Sequence, residues 1–159
     1  MPEVDNPVFT IFIPTYNRAN LLPRAFSSIE RQTFLNFEVL VIDDGSTDNT
    51  HEVVEEWRKR VNFPVDYHHQ QNQGKPAAHN FALKFIHGFF TVILDSDDTL
   101  ADNALELLLA HWNAIPDKQK LSYAGVEGLC ALLKNGEVTG NHFPADVFDS
   151  DYLETRYRL

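Results

Sequence analysis

The stretch that most constrains this chain is Phe90-Thr91-Val92-Ile93-Leu94-Asp95-Ser96-Asp97-Asp98, an apolar run that stops abruptly in acids. A short run of β-branched and large apolar residues predicts a strand buried on both faces, whereas ionised acids stay out of a core unless something pairs with them. The acids are therefore expected at the carboxyl end of that strand, where open parallel sheets bind their ligands. Carboxylates at alternate positions offer hard oxygen donors, suited to Mg²⁺, Mn²⁺ or Ca²⁺ with positions left open for phosphate oxygens. Two other readings compete. Asp98 or Thr99 can cap a helix predicted over residues 100–114, with Asp102 adding charge to its first turn, but capping does not use all of the acids. An EF-hand loop would place Asp95, Asp97, Thr99 and Glu106 at ligand spacing, yet Leu100 stands where that loop needs Gly and the preceding residues read as a strand.

The same pattern of apolar run followed by polar turn recurs upstream. Residues 8–13 predict a strand that Pro14 takes out of the ladder, and Asn20 can cap a helix carrying Leu21, Leu22, Ala25, Phe26 and Ile29. Residues 37–42 predict a second buried strand, which also ends in acids, Asp43-Asp44. Gly45 then permits a tight turn, and Ser46, Thr47 or Asp48 can cap a helix running to about Arg60. A short strand over residues 65–69 leads to the polar loop Gln70-Gln71-Asn72-Gln73-Gly74-Lys75-Pro76, with Pro76 placed for the first turn of a helix bearing Ala77, Ala78, Phe81, Ala82, Phe85 and Ile86. His68 and His69 point to opposite faces of their strand, so at most one could join a given site, and ordinary exposed or hydrogen-bonded histidines are expected. After Pro116, residues 123–126 and 129–133 predict strands, with Asn135-Gly136 a hairpin turn.

Alternation of strand and helix predicts an α/β fold, a mostly parallel sheet covered by helices on both faces and ending in a C-terminal hairpin. Right-handed crossovers would place every strand end just named along one rim. The 159 residues predict a single domain, 1–159. A formal net charge of -10 argues against a nucleic-acid-binding surface. The single cysteine, Cys130, rules out an internal disulfide, suits a reducing compartment and is expected to be buried in its apolar stretch. With no transmembrane segment or signal peptide visible, a cytoplasmic protein is expected.

Taken together, these segments resemble the nucleotide-binding half of the inverting glycosyltransferases called family two, which have the Rossmann-like GT-A fold. The resemblance is carried by Pro14-Thr15-Tyr16-Asn17-Arg18, by Asp43-Asp44-Gly45-Ser46-Thr47-Asp48, by Asn72-Gln73-Gly74 leading to Ala77-Ala78-His79-Asn80, and by Leu94-Asp95-Ser96-Asp97-Asp98, in that order. It implies a nucleotide site made of Pro14, Thr15, Tyr16, Asn17, Arg18, Asp43, Asp44, Gly74, Lys75, Asp95 and Ser96. Thr15 and Tyr16 would meet the base, Tyr16 by stacking, and Asp43 would accept from a uracil-like imide. Asp95 would hold the ribose or assist the metal, and Lys75 could help with the diphosphate. Asp97 would coordinate Mn²⁺ or Mg²⁺, with Asp95 and Asp98 beside it. The implied reaction is transfer of a sugar from a nucleoside-diphosphate donor, a UDP-sugar first, to a saccharide or lipid-linked acceptor, with peripheral membrane association compatible with a longer protein. His79 stands where the family often has Arg, so a cationic contact there would depend on pH.

The resemblance places the general base on a segment after the hairpin, so it is expected beyond Leu159, with Asp149 and Asp151 as alternatives. On that ground the chain is expected to be truncated on its acceptor side and to transfer sugar poorly. A metal-dependent nucleotide-binding module without activity is the alternative function. A nucleotidyltransferase would carry a Gly-rich, basic phosphate loop near its first strand, and residues 14–18 are not one.

Overall fold

The computed structural model describes residues 6–126, 128, 130–132 and 134–139, which divide into two compact units at Pro116. The first unit alternates β1 (Phe9–Thr15), α1 (Leu22–Glu30), β2 (Phe37–Asp43), α2 (Thr50–Arg58), β3 (Val65–His69), α3 (Lys75–Ala82), β4 (Phe90–Ile93) and α4 (Ala104–Ala114). Its four strands form one parallel sheet in the order β3-β2-β1-β4. The predicted α/β architecture is therefore the observed one.

Period-two alternation sorts the strand residues onto two cores. Ile11, Ile13, Val39 and Val41 face Leu22, Ala25, Phe26 and Ile29 of α1, Val54 and Trp57 of α2, and Leu105 of α4. Phe26 and Trp57 stack there with ring centroids 3.8 Å apart. On the opposite face Phe12, Leu40 and Ile42 meet Ala78 and Ala82 of α3, whose small side chains bring the helix close to the sheet. Every residue of β1 and all but Glu38 of β2 are buried, as strands covered on both faces must be.

β1 runs on through Pro14 to Thr15, in register with Ile42 and Asp43 of β2, so Pro14 does not leave the ladder as expected. The N-cap of α2 is Asn49, without a side-chain capping bond, and not Ser46, Thr47 or Asp48. Three further expectations for this unit are corrected. β4 is not buried on both faces: among the described residues it pairs with β1 alone, its side chains alternate between half-buried and exposed, and Ile93 is 55% exposed. An apolar run cannot by itself tell an outer strand from a central one. Second, α4 starts at Ala104, not at residue 100, so neither Asp98 nor Thr99 caps it. Its N-cap, Asn103, makes no side-chain capping bond either, and Gln32 Oε1 accepts from the Leu105 N–H at 3.2 Å instead. Third, Asn20 does not cap α1, which begins after Leu21 with Pro23 in its opening turn.

The second unit opens with α5 (Asp117–Lys120). The strand expected over 123–126 does not form. The Asn135-Gly136 hairpin is present: the Gly136 N–H donates to the Leu132 carbonyl at 2.8 Å, the Leu132 N–H to Glu137 at 2.7 Å and the Thr139 N–H to Cys130 at 2.8 Å. Among the described residues a single bridge there pairs Ala131 with Val138. Cys130 is exposed and not buried as its apolar neighbours suggest, because the described residues beside it contribute one rung of a small hairpin.

Candidate functional site

The strand order reverses between β1 and β4, and the crevice outside their carboxyl ends is where such a sheet takes a ligand. In register Phe12 opposes Ile93, and the Leu94 N–H donates to the Phe12 carbonyl at 2.9 Å. The Thr15–Arg18 loop and the acidic 95–98 loop therefore leave the sheet side by side. Thr15 itself lies opposite Asp43 at the end of β2, and Asp43 opposite His69 at the end of β3.

The loops on the β1–β2–β3 side are tied to one another through polar side chains. The Asp44 N–H donates to the Thr15 carbonyl and the Gln70 N–H to the Asp43 carbonyl, both at 2.9 Å. Asn17, left-handed at φ 52°, accepts at Oδ1 from the Thr47 N–H at 2.8 Å and donates its own N–H to Ser46 Oγ at 2.8 Å. Asp48 Oδ2 accepts from the Ala19 N–H at 3.1 Å, while its Oδ1 takes the Thr50 N–H at 3.1 Å and hydroxyl at 2.6 Å. Asp44 accepts from Gln70 Nε2 at 2.7 Å, from the Gln73 N–H at 3.0 Å and from the Gly74 N–H at 2.7 Å. Burial alone would raise the Asp44 carboxyl, but these hydrogen bonds outweigh it and hold the group below the ordinary carboxylate value. Burial opposes and hydrogen bonding likewise prevails at Asp48. Gly45 (φ +86°) passes so near the neighbouring loop that a Cβ there would lie 2.7 Å from the Asn72 nitrogen.

This scaffold frames the residues open to a ligand. Tyr16 is 47% exposed at the mouth of the crevice. Thr15 is buried, and among the described residues its Oγ1 has no hydrogen-bond partner, which is costly unless a ligand or water satisfies it. Asp43 is buried at the floor, where Oδ1 accepts from the Ser46 N–H at 2.8 Å and Oδ2 from the Tyr67 hydroxyl at 2.7 Å, leaving each oxygen a further lone pair. Tyr67 is the site residue that sequence reasoning passed over. Its only signal was position, an inward-facing polar tip on the strand beside Asp43.

Across the crevice, Lys75 Nζ lies 2.7 and 2.8 Å from the two oxygens of Asp95. Ser96 is buried, whereas Asp97 and Asp98 are exposed. Among the described residues neither of those two carboxylates makes a hydrogen bond or ion pair; Asp98 is held through its N–H, which donates to the Asp95 carbonyl, and Asp97 through its carbonyl, which accepts from the Arg24 guanidinium. Register and chain connection thus set Thr15, Tyr16, Asp95, Ser96, Asp97 and Asp98 at the adjoining carboxyl ends of β1 and β4, with Asp43 at the end of β2. The structure gives Asn17 and Asp44 internal partners, and it leaves Arg18 exposed. His79 Nε2 is buried without a partner among the described residues, its ring edge-on to Phe12 on the α3 face. Asp149 and Asp151 lie outside the described residues.

Among the described residues no group of three or more His, Cys, Asp or Glu could hold a metal ion unaided. The donors at 95–98 nonetheless fit a hard cation of the Mg²⁺ or Mn²⁺ kind, which takes one or two carboxylates and completes its shell with water and substrate phosphates. None of the helices among the described residues is long and apolar enough to cross a membrane.

The model of glycosyl transferase family 2 matches residues 10–119, which include both loops of the crevice. The chain belongs to this family. It is 30% identical over 160 residues to GalNAc(5)-diNAcBac-PP-undecaprenol beta-1,3-glucosyltransferase of Campylobacter jejuni, covering 95% of this chain and 49% of that protein. Among solved structures, TarS of S. aureus in complex with UDP superposes with a TM-score of 0.59 at 35% identity, covering 66% of this chain and 32% of that one. The mannosyltransferase PcManGT of Pyrobaculum calidifontis, in complex with GDP-Man and Mn²⁺, superposes with a TM-score of 0.63 at 29% identity, covering 71% of this chain and 34% of that one. The family 2 chain thus spans less than half the length of each of these relatives, and the two solved neighbours carry the Rossmann-like GT-A fold.

Proposed function

We propose that the crevice between β1 and β4 binds the nucleoside-diphosphate moiety of a sugar donor, UDP-linked, in a divalent-metal-dependent manner, and that the full enzyme transfers the sugar with inversion to a saccharide or lipid-linked acceptor. The observation that carries this reading is the pairing, at the switch point, of a buried unsatisfied hydroxyl on Thr15 with the uncommitted carboxylates of Asp97 and Asp98. UDP in one structural neighbour and GDP-Man with Mn²⁺ in another support it.

In this reading Tyr16 stacks on the base, Thr15 Oγ1 gains a partner from the nucleoside, and a free lone pair of Asp43 accepts the imide N–H. Asp95 holds the ribose, and Lys75, already beside it, supplies positive charge to the diphosphate. Asp97, aided by Asp95 and Asp98, would hold Mn²⁺ or Mg²⁺. The cation supplies charge neutralisation for a departing diphosphate. Asn17, Asp44 and Gly74 serve by fixing the loops that carry these groups.

Thermal unfolding with a panel of nucleoside diphosphates, each with and without Mn²⁺ or Mg²⁺, tests the proposal. UDP at about 100 times its Kd should stabilise the fold by about 2.7 kcal/mol, and only with metal present. Equal shifts with and without metal, or none with any nucleotide, would contradict it.

A further inference from the structure

Residues 94–103, the long connection from β4 to α4, carry the acidic cluster with no regular structure of their own. Connections of this kind are ordinarily mobile unless something outside them satisfies their backbone. Here α1 does so. Arg24, Ser28 and Gln32 follow one another at four-residue spacing, a row along one side of α1 continued through the turn that closes it. The Arg24 guanidinium donates to the Asp97 carbonyl. Ser28, fully buried, accepts the Leu100 N–H at Oγ at 3.1 Å and donates to the Ala25 carbonyl at 2.7 Å. Gln32, 4% exposed, donates from Nε2 to the Ala101 carbonyl at 2.7 Å and to the Ser28 carbonyl at 3.2 Å, while its Oε1 accepts the Leu105 N–H at 3.2 Å.

Two neighbours extend the contact. The Thr33 N–H donates to the Asp102 carbonyl at 2.9 Å, and Arg31 Nε pairs with Asp102 Oδ1 at 2.9 Å. The row Arg24, Ser28 and Gln32 engages backbone atoms of the loop and of the α4 start, never an acidic side chain. The loop is thereby fixed in space while Asp97 and Asp98 keep their carboxylates uncommitted. A helix facing an apolar core has no need of buried Ser and Gln at these places, since apolar residues of similar size would bury without polar partners.

We propose that Arg24, Ser28 and Gln32 are positioning residues of the donor site, which set the placement of Asp95, Asp97 and Asp98 by reading the backbone of the loop that carries them. This rests on the nucleotide-binding reading above. Ser28 and Gln32 are buried under the loop, so their effect on a ligand passes through it.

The test is calorimetric titration of UDP with Mn²⁺ into the whole chain, well below the melting temperature of each protein, alongside the electron paramagnetic resonance spectrum of the bound Mn²⁺. Ser28→Ala, Gln32→Leu and the exposed-site variant Arg24→Ala are each expected to weaken Mn²⁺-dependent UDP binding about tenfold and to alter the Mn²⁺ spectrum. Val54→Ala, which opens a cavity beside α2 without removing any of these hydrogen bonds, should lower the melting temperature while leaving both binding and spectrum unchanged. Wild-type affinity in all three loop-contact variants, or an equal loss in Val54→Ala, overturns the proposal. Failure of the wild-type chain to bind UDP with either metal overturns the nucleotide-binding reading itself, and the positioning role with it.

Discussion

Lys75 Nζ bridges both oxygens of Asp95, at 2.7 and 2.8 Å, and so joins the start of α3 to the acidic loop across the mouth of the crevice. The two side chains are 56% and 40% exposed, so water and salt screen the pair and its share in stability is small. Lys75→Met should therefore change unfolding free energy by less than about 1 kcal/mol. The same variant should bind UDP several-fold more weakly, because the diphosphate loses a cation placed beside it. Unfolding curves and UDP titrations on one preparation check both halves, and a large stability loss with unchanged binding would make the lysine structural.

Asp44 and Asp48 predict how the domain responds to acid. Both carboxyls are held below their ordinary value of 3.8 in the folded state, so the unfolded chain takes up these protons first as pH falls. Their stabilisation is complete above 3.8 and is lost as pH drops from there through the folded-state values. Denaturant midpoints should decline below about pH 4, and the decline should be shallower in Asp44→Asn. Above that pH, Asp44→Asn should still cost on the order of 2 kcal/mol, because the amide cannot accept from two backbone N–H groups and the Gln70 amide with equal strength. An unchanged acid limb in the variant would show that other groups govern it.

Gly45 is predicted to tolerate no side chain. A methyl group there would meet the Asn72 backbone nitrogen at 2.7 Å on a residue at φ +86°. Gly45→Ala should cost on the order of 1–3 kcal/mol and weaken UDP binding by parting the two loops. Gly125, where an added Cβ meets nothing within 4 Å, is the control, and Gly125→Ala should have little effect on either quantity.

Much of this was legible in the sequence because the central strands obey a local rule. Residues 9–15 and 37–43 are apolar runs closed by polar turns, and a strand covered on both faces has no other pattern open to it. The sites at their ends followed from parallel topology. β4 reads the same way in composition, yet among the described residues it pairs with β1 alone and Ile93 is 55% exposed, because a strand's partners are not encoded in its own residues. The start of α4 was misplaced for a similar reason. Asp98 and Thr99 have the right chemistry for a cap, but the acceptor for Leu105 is Gln32, more than seventy residues upstream. Tyr67 and Asp43 meet between neighbouring strands, a contact that only the register discloses.

The most direct test of the account is calorimetric titration of UDP into the chain and into Asp97→Asn, each with Mn²⁺ and with the metal chelated. Asn keeps the shape of Asp97 but loses the charge that a hard cation requires. The unmutated chain is expected to bind UDP with Mn²⁺ and to lose at least about 1.4 kcal/mol of binding, tenfold in Kd, when the metal is removed. Asp97→Asn is expected to bind equally weakly under both conditions while melting at nearly the same temperature, since that carboxylate has no partner among the described residues. Full Mn²⁺-dependent affinity in Asp97→Asn would contradict the placement of the metal, and with it the reading of the β1–β4 crevice as the donor site.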